Sequence, residues 1–397
     1  MPLEFKPLTD PEREFVMLNL QEDTAKLALK LHRKKDFDGQ KLISQIAARQ
    51  KAKGKLPDWY ANPELFFPPP VSVEQASSQA TAIYKASLAN PGRQLVDLTL
   101  GMGVDTFYLS KKFQYVSGYE QNPELALITA YNLRVLGADH ISVISEKGES
   151  AVEENADCVF VDPSRRDERK RKTVAFEDSS PNMLEILPAW VRRSPQIIVK
   201  ASPIIDIDLA VKQLKYVSEV HVVGYQKECK EVVFVLNTAK PAERPVIHAV
   251  VLDSDGSVQK QLSFTRMQET AIAPGYGDPS GYLYEPHPAL MKAGGFRVMG
   301  RQFDMTEIAP NSHLYSSPVI RTDFPGRLFA IKGVVNASGF SWEKWLTEPK
   351  ANLTLRNFPA EPHDLRKKWR LKEGGHDYLF ATTLSSGRKV VIITERV

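Results

Sequence analysis

The stretch VDLTLGMGVDT, residues 96–106, decides the fold of this chain. It has the pattern of an apolar strand, Leu95–Leu100, that turns at Gly101 and Gly103 into a helix beginning near Asp105. A tight turn from strand to helix needs positive φ angles and leaves room for a ligand, and glycine allows both. The stretch therefore predicts a strand–turn–helix unit of an α/β domain.

A second predicted strand, Tyr115–Glu120, ends in an acid. Beside a glycine turn, such a carboxylate can accept hydrogen bonds from both hydroxyls of a ribose, so we expect a nucleoside-bearing cofactor across these strand ends. The dinucleotide fingerprint needs a third glycine at position 106, where this chain has Thr106, which weakens the prediction of NAD. A strand–turn–helix without a ligand stays open as the alternative.

The composition is that of an ordinary globular protein. The 397 residues are 42% hydrophobic and 25% charged, and this length suggests about two to four domains. No apolar run is long enough for a bilayer and residues 1–4 do not start a signal segment, so we expect a cytoplasmic protein without a membrane partner. The two cysteines, Cys158 and Cys229, and eight scattered histidines show no ligand spacing, so no metal is expected.

The order of predicted elements indicates a doubly wound sheet. Residues 10–88 have helical spacing, broken by a proline-rich connector at Pro57, Pro63 and residues 68–70. From residue 95 to 240, strands alternate with helices, which is typical of a parallel sheet. The predicted strands are Leu95–Leu100, Tyr115–Glu120, Ile141–Ser145, Cys158–Val161 and Ile197–Val199, followed by an antiparallel pair, Glu219–Val223 and Glu231–Leu236.

Residues 71–240 resemble a class I methyltransferase that uses S-adenosylmethionine (SAM). Asp97, Gly101 and Gly103 fit the acid-x-Gly-x-Gly-x-Gly loop of these enzymes, with Thr99 in the place of the first glycine. The resemblance implies an α/β, Rossmann-like sheet of seven strands with SAM as cofactor. Gly148-Glu149-Ser150 stands where such enzymes carry a Gly-Asp-Ala/Ser segment. The residues implied to bind SAM are Asp97, Thr99, Gly101, Gly103, Glu120, Gln121 and Glu149.

The fourth predicted strand ends at Asp162-Pro163. Ligands of open α/β sheets gather at the carboxyl ends of strands, which places these residues beside the glycine loop. The segment resembles the Asp/Asn-Pro-Pro-aromatic and Asp-Pro-Pro-Arg motifs of nucleic-acid methyltransferases. This resemblance implies that Asp162 and Pro163 are catalytic and orient the amino group of a base. Ser164 replaces the second proline, and an Asx-type turn is the alternative reading. Lys200 could also contact substrate from the same rim.

A basic run follows this segment. Six Arg or Lys residues lie within 165–172, interrupted by two acids. Such a run is usually a solvated loop, but here it borders the proposed site, where it would attract phosphates. The residues expected to bind substrate there are Ser164, Arg165, Arg166 and Arg169. The run favours a polynucleotide over a small molecule.

The carboxyl-terminal part reads as small α+β units. A hairpin is predicted at Val246–Leu252 and Val258–Phe264, a loop at residues 275–284 and a helix at Pro286–Lys292. After residue 326 the order resembles a THUMP-like module, whose family role is RNA binding; it includes a predicted helix at Ser341–Leu346 and a basic helix at Asp364–Leu371. The residues predicted to bind phosphates and stack on a base are Arg366, Lys367, Lys368, Trp369 and Arg370. A surface helix with Trp369 in the core is the alternative.

These observations predict four domains and one activity. The domains are a helical domain (1–88), a SAM-dependent methyltransferase domain (89–240), a small α+β or ferredoxin-like domain (241–325) and a THUMP-like domain (326–397). The predicted activity is methylation of a base nitrogen in RNA, either tRNA or rRNA. The alternatives are a non-catalytic RNA-binding protein with a degenerate SAM fold, a methyltransferase acting on a protein or small molecule, and an NAD-linked oxidoreductase.

Overall fold

The computed structural model describes residues 5–31, 38–153, 155–165, 176–177 and 179–397. Two compact units are present. The first comprises the chain up to Val220 with Glu231–Glu243 and Leu252–Val258, and the second comprises His221–Lys230, Arg244–Val251 and Gln259–Val397. Across the described ranges, no helix combines the length and the apolar character that crossing a membrane requires. The division into four domains stays a prediction.

The regular elements are named in chain order. The helices are α1 (Asp10–Leu18), α2 (Thr24–Leu31), α3 (Gly39–Ala52), α4 (Pro57–Ala61), α5 (Pro70–Gln75), α6 (Gln79–Leu88), α7 (Val104–Ser110), α8 (Pro123–Val135), α9 (Met183–Trp190), α10 (Ile207–Leu214), α11 (Arg266–Ala271), α12 (Pro288–Ala293), α13 (Phe296–Gln302) and α14 (Pro362–Trp369). The strands are β1 (Gly92–Asp97), β2 (Phe113–Tyr119), β3 (Ile141–Ile144), β4 (Cys158–Val161), β5 (Ser164–Arg165), β6 (Ser179–Ser180), β7 (Gln196–Ala201), β8 (Val217–Tyr225), β9 (Glu228–Asn237), β10 (Val246–Leu252), β11 (Val258–Phe264), β12 (Tyr282–Pro286), β13 (Thr306–Glu307), β14 (Tyr315–Ser317), β15 (Gly326–Asn336), β16 (Lys350–Arg356), β17 (Lys372–Thr383) and β18 (Lys389–Arg396). Short 3₁₀ turns lie at Gly148–Glu153, Ala337–Gly339 and Trp342–Lys344.

A doubly wound sheet positions the candidate site, as the sequence predicts. Strands β1, β2, β3, β4 and β7 pair in parallel, and β9 runs antiparallel to β7. The hydrogen-bonded order β8-β9-β7-β4-β1-β2-β3 is the predicted seven-stranded sheet, and β10 and β11 extend it to nine strands. Central strand β4 is buried at every residue, which suits a strand covered on both faces. The predicted fold class is confirmed.

The connector after the amino-terminal helices is held by polar side chains. Arg49 of α3 is completely buried and donates hydrogen bonds of 2.7–3.2 Å to four backbone carbonyls, those of Tyr60, Asn62, Pro63 and Leu65. Gln45 exchanges two hydrogen bonds with the backbone of Phe67, at 2.6 and 2.9 Å. Asn132 of α8 does the same with Phe66, at 2.7 and 2.9 Å. We call Gln45 and Asn132 the amide clamp.

The second unit contains a seven-stranded sheet of order β13-β14-β12-β15-β18-β17-β16. Its parallel pair is β16 with β17, whereas β17 with β18 and β18 with β15 are antiparallel. Helix α14 connects the parallel pair, as a crossover must. Apolar residues of α14, including Leu365 and Trp369, pack with Ala351, Leu379 and Ile393 of the sheet in one core.

Two local predictions in this unit are wrong. The last part of the predicted loop 275–284 is strand: Tyr282–Pro286 is β12, between β14 and β15. Leu283 and Tyr284 are both fully buried there, so sheet pairing outweighs the glycine- and proline-rich flanks. The predicted helix Ser341–Leu346 is only a 3₁₀ turn at Trp342–Lys344. Leu346 is buried, so tertiary packing keeps the segment short of a full helix.

Candidate active site

Asp97 ends β1 and organises the turn that follows it. Its carboxylate accepts a hydrogen bond of 2.8 Å from the Thr99 N–H and another from the Thr106 hydroxyl at the start of α7. The side chain is 1% exposed. Burial raises the pKa of Asp97 to about 7, although the hydrogen bonds from Thr106 and Thr99 act in the opposite direction. Asp97 therefore lies inside the turn and shapes the loop from within.

The two glycines of the loop have the conformation that the sequence predicts. Gly101 and Gly103 have φ angles of 57° and 80°, and Gly103 caps the amino terminus of α7. A Cβ atom on Gly103 would lie 2.9 Å from Cγ2 of Thr129. The Thr129 hydroxyl also donates a 2.8 Å hydrogen bond to the Gly101 carbonyl. The loop thus needs glycine for its backbone angles and for its contact with α8.

Glu120 follows β2 and closes the loop from the other side. Its Oε2 accepts the Gly101 N–H at 3.0 Å, and its Oε1 accepts the Asn122 N–H at 2.7 Å. The carboxylate is half-buried, and each oxygen keeps a lone pair for a further donor. The structure therefore brings together the glycine loop and the predicted ribose-binding acid. Gln121, the neighbouring residue, is exposed.

The segment after β3 reaches the same loop. A Cβ atom on Gly148 would lie 2.2 Å from the Leu98 carbonyl oxygen, so the two backbones are in direct contact. Glu149, next along the chain, is half-buried at the start of a 3₁₀ turn. The glycines leave room for a ligand beside the backbone, and the half-buried carboxylates of Glu120 and Glu149 can accept hydrogen bonds from a ribose and from a base amino group. The residues present therefore fit SAM.

Asp162 lies at the end of β4 and is tied to the glycine loop. Its N–H donates a 2.7 Å hydrogen bond to the Thr99 hydroxyl. Its carboxylate forms an ion pair with Lys200 at the end of β7. Pro163 is half-buried, and Ser164 is exposed with its hydroxyl 3.3 Å from the Ser180 carbonyl oxygen. Thr99, which departs from the family's glycine, thus links the loop to the predicted catalytic segment.

The basic run at 165–172 lies almost entirely outside the described residues. Arg166, Arg169 and the rest of 166–175 lie outside the described residues, and so does the side chain of Arg165. Substrate binding by these residues stays a prediction.

A buried charge cluster around Lys85 was not predicted from the sequence. Lys85 of α6 is 0% exposed, and its Nζ lies 2.5 Å from Oε1 of Glu231, 3.1 Å from Oδ1 of Asp105 and 3.1 Å from the Ser77 hydroxyl. Burial raises the pKa of Glu231, although Lys85 and Lys200 act against that rise. The sequence does contain a signal for buried charges, because two charged residues lie directly beside apolar strands. Glu231 precedes Val232–Leu236, and Lys200, which acts on Glu231, follows Ile197–Val199.

Helix α14 separates into an exposed basic face and a buried indole. Lys367, Lys368 and Arg370 are exposed, and Arg366 pairs with Glu373 at 3.1 Å. Trp369 is 6% exposed and packs against Phe340, with ring centroids 4.8 Å apart. Trp369 is therefore a core residue. The prediction that a base stacks on Trp369 is wrong, because only 6% of the residue is exposed.

Comparison with known families matches the carboxyl-terminal part of the chain. A family model described as a ferredoxin-like domain matches residues 282–325, and a model described as THUMP domain-like matches residues 326–396. A search of curated protein sequences finds no match.

Comparison with solved structures extends over the whole chain. A crystal structure of a candidate methyltransferase from Porphyromonas gingivalis W83 has 28% identity and a TM-score of 0.85, and the match covers 98% of each chain. An rRNA methylase from Streptococcus thermophilus matches at 15% identity and a TM-score of 0.30, over 40% of this chain and 93% of the other. The T. thermophilus 16S rRNA methyltransferase RsmC matches at 14% and 0.32, over 41% and 43%.

Proposed function

We propose that this chain, which joins a methyltransferase-type α/β sheet to ferredoxin-like and THUMP-like domains, transfers a methyl group from SAM to RNA. The observation that carries the proposal is the meeting of the glycine loop, Glu120 and Asp162 at the strand ends, where the Thr99 hydroxyl joins the loop to Asp162. The likeness over 98% of the chain to the Porphyromonas gingivalis protein supports it. We infer that the reaction takes place in the cytoplasm.

Each part of the site has a role in this proposal. Glu120 holds the ribose, the turn at Gly101 leaves room for the amino-acid part, and Glu149 faces the adenine with Gln121 beside it. When bound, SAM supplies a methyl group activated by a positively charged sulfur. Asp162 and Pro163 face the acceptor, and precise orientation of that acceptor supplies much of the rate.

RNA is the substrate class that the second unit favours. The THUMP-like match at residues 326–396 supports RNA binding, since this is the role to which the family resemblance points. The exposed basic residues of α14 and the basic run at 165–172 would bind phosphates, and such contacts make affinity fall steeply with salt. Ser164 and the arginines after it would contact the substrate nearest the site.

The atom that receives the methyl group is a finer question. A base nitrogen requires the Asp162 carboxylate to accept hydrogen bonds from an amino group. Lys200 pairs with one oxygen of this carboxylate, which leaves the other oxygen for the acceptor. The alternative function, a non-catalytic RNA-binding protein, can be distinguished by experiment, because such a protein would bind RNA without transferring a methyl group.

Glu120→Ala is expected to weaken SAM binding by about 100-fold, because two charge-assisted hydrogen bonds to the ribose are each worth about 1.5 kcal/mol or more. Isothermal titration calorimetry with SAM, S-adenosylhomocysteine and NAD measures the change. Glu124→Ala, which removes an exposed carboxylate from the first turn of α8, is the matched control and should leave the affinity unchanged. Binding of NAD in place of SAM would contradict the proposed function.

A further inference from the structure

Two lysine–carboxylate pairs accompany the candidate active site. Lys200 and Asp162 lie at the ends of neighbouring parallel strands. Their side chains are 13% and 35% exposed, so Lys200 is mostly buried and Asp162 is partly exposed at the strand ends. Lys85 and Glu231 form the second pair, with side chains 0% and 4% exposed. The proposed function so far gives neither lysine a role.

Asp105 connects the two pairs. Its carboxylate lies 3.1 Å from Nζ of Lys85. Burial lowers the pKa of Lys200, but Asp162 foremost, followed by Asp105 and Glu231, raises that pKa well above its ordinary value. At neutral pH, Lys200 is therefore an ammonium group held in place by surrounding carboxylates.

A fixed ammonium group distinguishes between classes of methyl acceptor. A base amino group reacts as a neutral nitrogen and becomes more positive as it takes the methyl group. An ammonium beside it would repel that charge. A hydroxyl instead gives up its proton and passes through a partly anionic oxygen, which a preorganised cation stabilises. A carboxylate within reach can take the proton. Lys200 supplies the cation and Asp162 supplies the carboxylate, so the pair suits a hydroxyl acceptor.

We propose that the methyl acceptor is the 2′-hydroxyl of a ribose in RNA, bound beside the ion pair of Lys200 and Asp162, where it contacts both the ammonium and the carboxylate. This inference rests on the proposed function, because it concerns the same site. Lys200 and Asp162 are then catalytic residues, whereas Glu231 is a positioning residue that acts through Lys200. RNA carries this hydroxyl at each nucleotide, and DNA lacks it.

The proposed step conserves atoms and charge. Asp162 accepts the hydroxyl proton while the oxygen forms a bond to the methyl carbon. The bond between that carbon and the sulfonium sulfur breaks, and its electron pair stays on sulfur as a neutral thioether. Lys200 keeps its own protons and stabilises the oxygen as the oxygen loses its proton. The proton on Asp162 passes to water once the product leaves.

The position of the methyl group in RNA tests the inference. RNA from a strain that lacks this protein is incubated with the full chain and methyl-labelled SAM, then hydrolysed with alkali. A 2′-O-methyl group blocks alkaline cleavage at its nucleotide, so we expect the label in alkali-resistant dinucleotides. A DNA copy of the methylated sequence should take up no label.

Lys200→Met is expected to slow methyl transfer by about 100- to 1,000-fold, the usual cost of removing a group that stabilises a developing oxyanion. The affinity for SAM should not change. Lys212→Met removes an exposed lysine from α10 and is the matched control, with an unchanged rate. Full activity of Lys200→Met would overturn the inference.

Competitive acetylation followed by mass spectrometry reports the protonation of Lys200 without any turnover. In Asp162→Asn and in Glu231→Gln, Lys200 should react at lower pH than in the unaltered protein, whereas Lys212 should not change. A purely structural role of Glu231 would leave the reactivity of Lys200 unmoved and would overturn its positioning role.

The outcomes separate the inference from the proposed function. Label in base-methylated mononucleotides would overturn the 2′-hydroxyl and leave RNA methylation intact. Absence of label from every RNA, with SAM bound normally, would overturn the proposed function and the inference with it.

Discussion

Lys85→Met is expected to lower the free energy of unfolding by about 3–5 kcal/mol, the cost of removing one partner from a buried ion pair. Methionine is one atom shorter than lysine and similarly unbranched, but it leaves the Glu231 carboxylate, 4% exposed, without its cation. Asp105 loses the same partner. Urea unfolding followed by circular dichroism measures the change.

An exposed pair of the same chemistry is the control for this prediction. Lys230 lies 2.5 Å from Glu228 with side chains 35% and 70% exposed, and Lys230→Met should cost under about 1 kcal/mol. Adding Glu231→Leu to Lys85→Met should recover part of the loss, because a buried apolar pair replaces an unpaired charge. A loss as small as that of Lys230→Met would show that Lys85 is not held as the structure describes.

Trp369→Ala is expected to destabilise the second unit by about 3–5 kcal/mol, as large-to-small substitutions of buried aromatic residues do. The indole packs against Phe340 in a core that includes Leu365, Leu379 and Ile393. Hydrogen exchange of the β16–β18 amides and urea unfolding both report the change, since these strands form the other side of that core.

Lys368→Ala is the matched control, because Lys368 is the exposed neighbour of the indole on α14. It should leave stability unchanged and weaken RNA binding slightly, through one phosphate contact. The opposite pattern, in which Trp369→Ala keeps full stability but loses RNA affinity, would restore the base-stacking role that the structure corrects.

Features set by neighbouring residues were predictable from the sequence. Backbone angles and strand ends are local properties, so a few neighbouring residues are enough to predict them. This applies to the turn at Gly101 and Gly103, to Glu120 and to the Asp162-Pro163 segment. The buried pair was not predictable in this way: Lys85 and Glu231 are 146 positions apart, and only the completed sheet brings them together. The same holds for Trp369, whose place in the core depends on packing with Phe340.

Thr99 shows how a departure from a motif can be informative. In the sequence, Thr99 stands where the loop of the resembling enzymes has its first glycine. In the structure its hydroxyl accepts the N–H of Asp162 at 2.7 Å, and its own N–H binds Asp97 at 2.8 Å. A glycine could make the second contact but not the first. The substitution therefore gives the loop a side-chain link to the end of β4.

The amide clamp has a practical consequence for handling the protein. A proline-rich connector normally marks a site where a protease cuts and where a module can be removed. Here Gln45 and Asn132 pair with the backbone of Phe67 and Phe66 as a neighbouring strand would. The peptide bonds of that segment are thereby withheld from a protease, which must bind its substrate in extended form. Limited digestion should spare the connector, and the amino-terminal helices should be retained with the sheet.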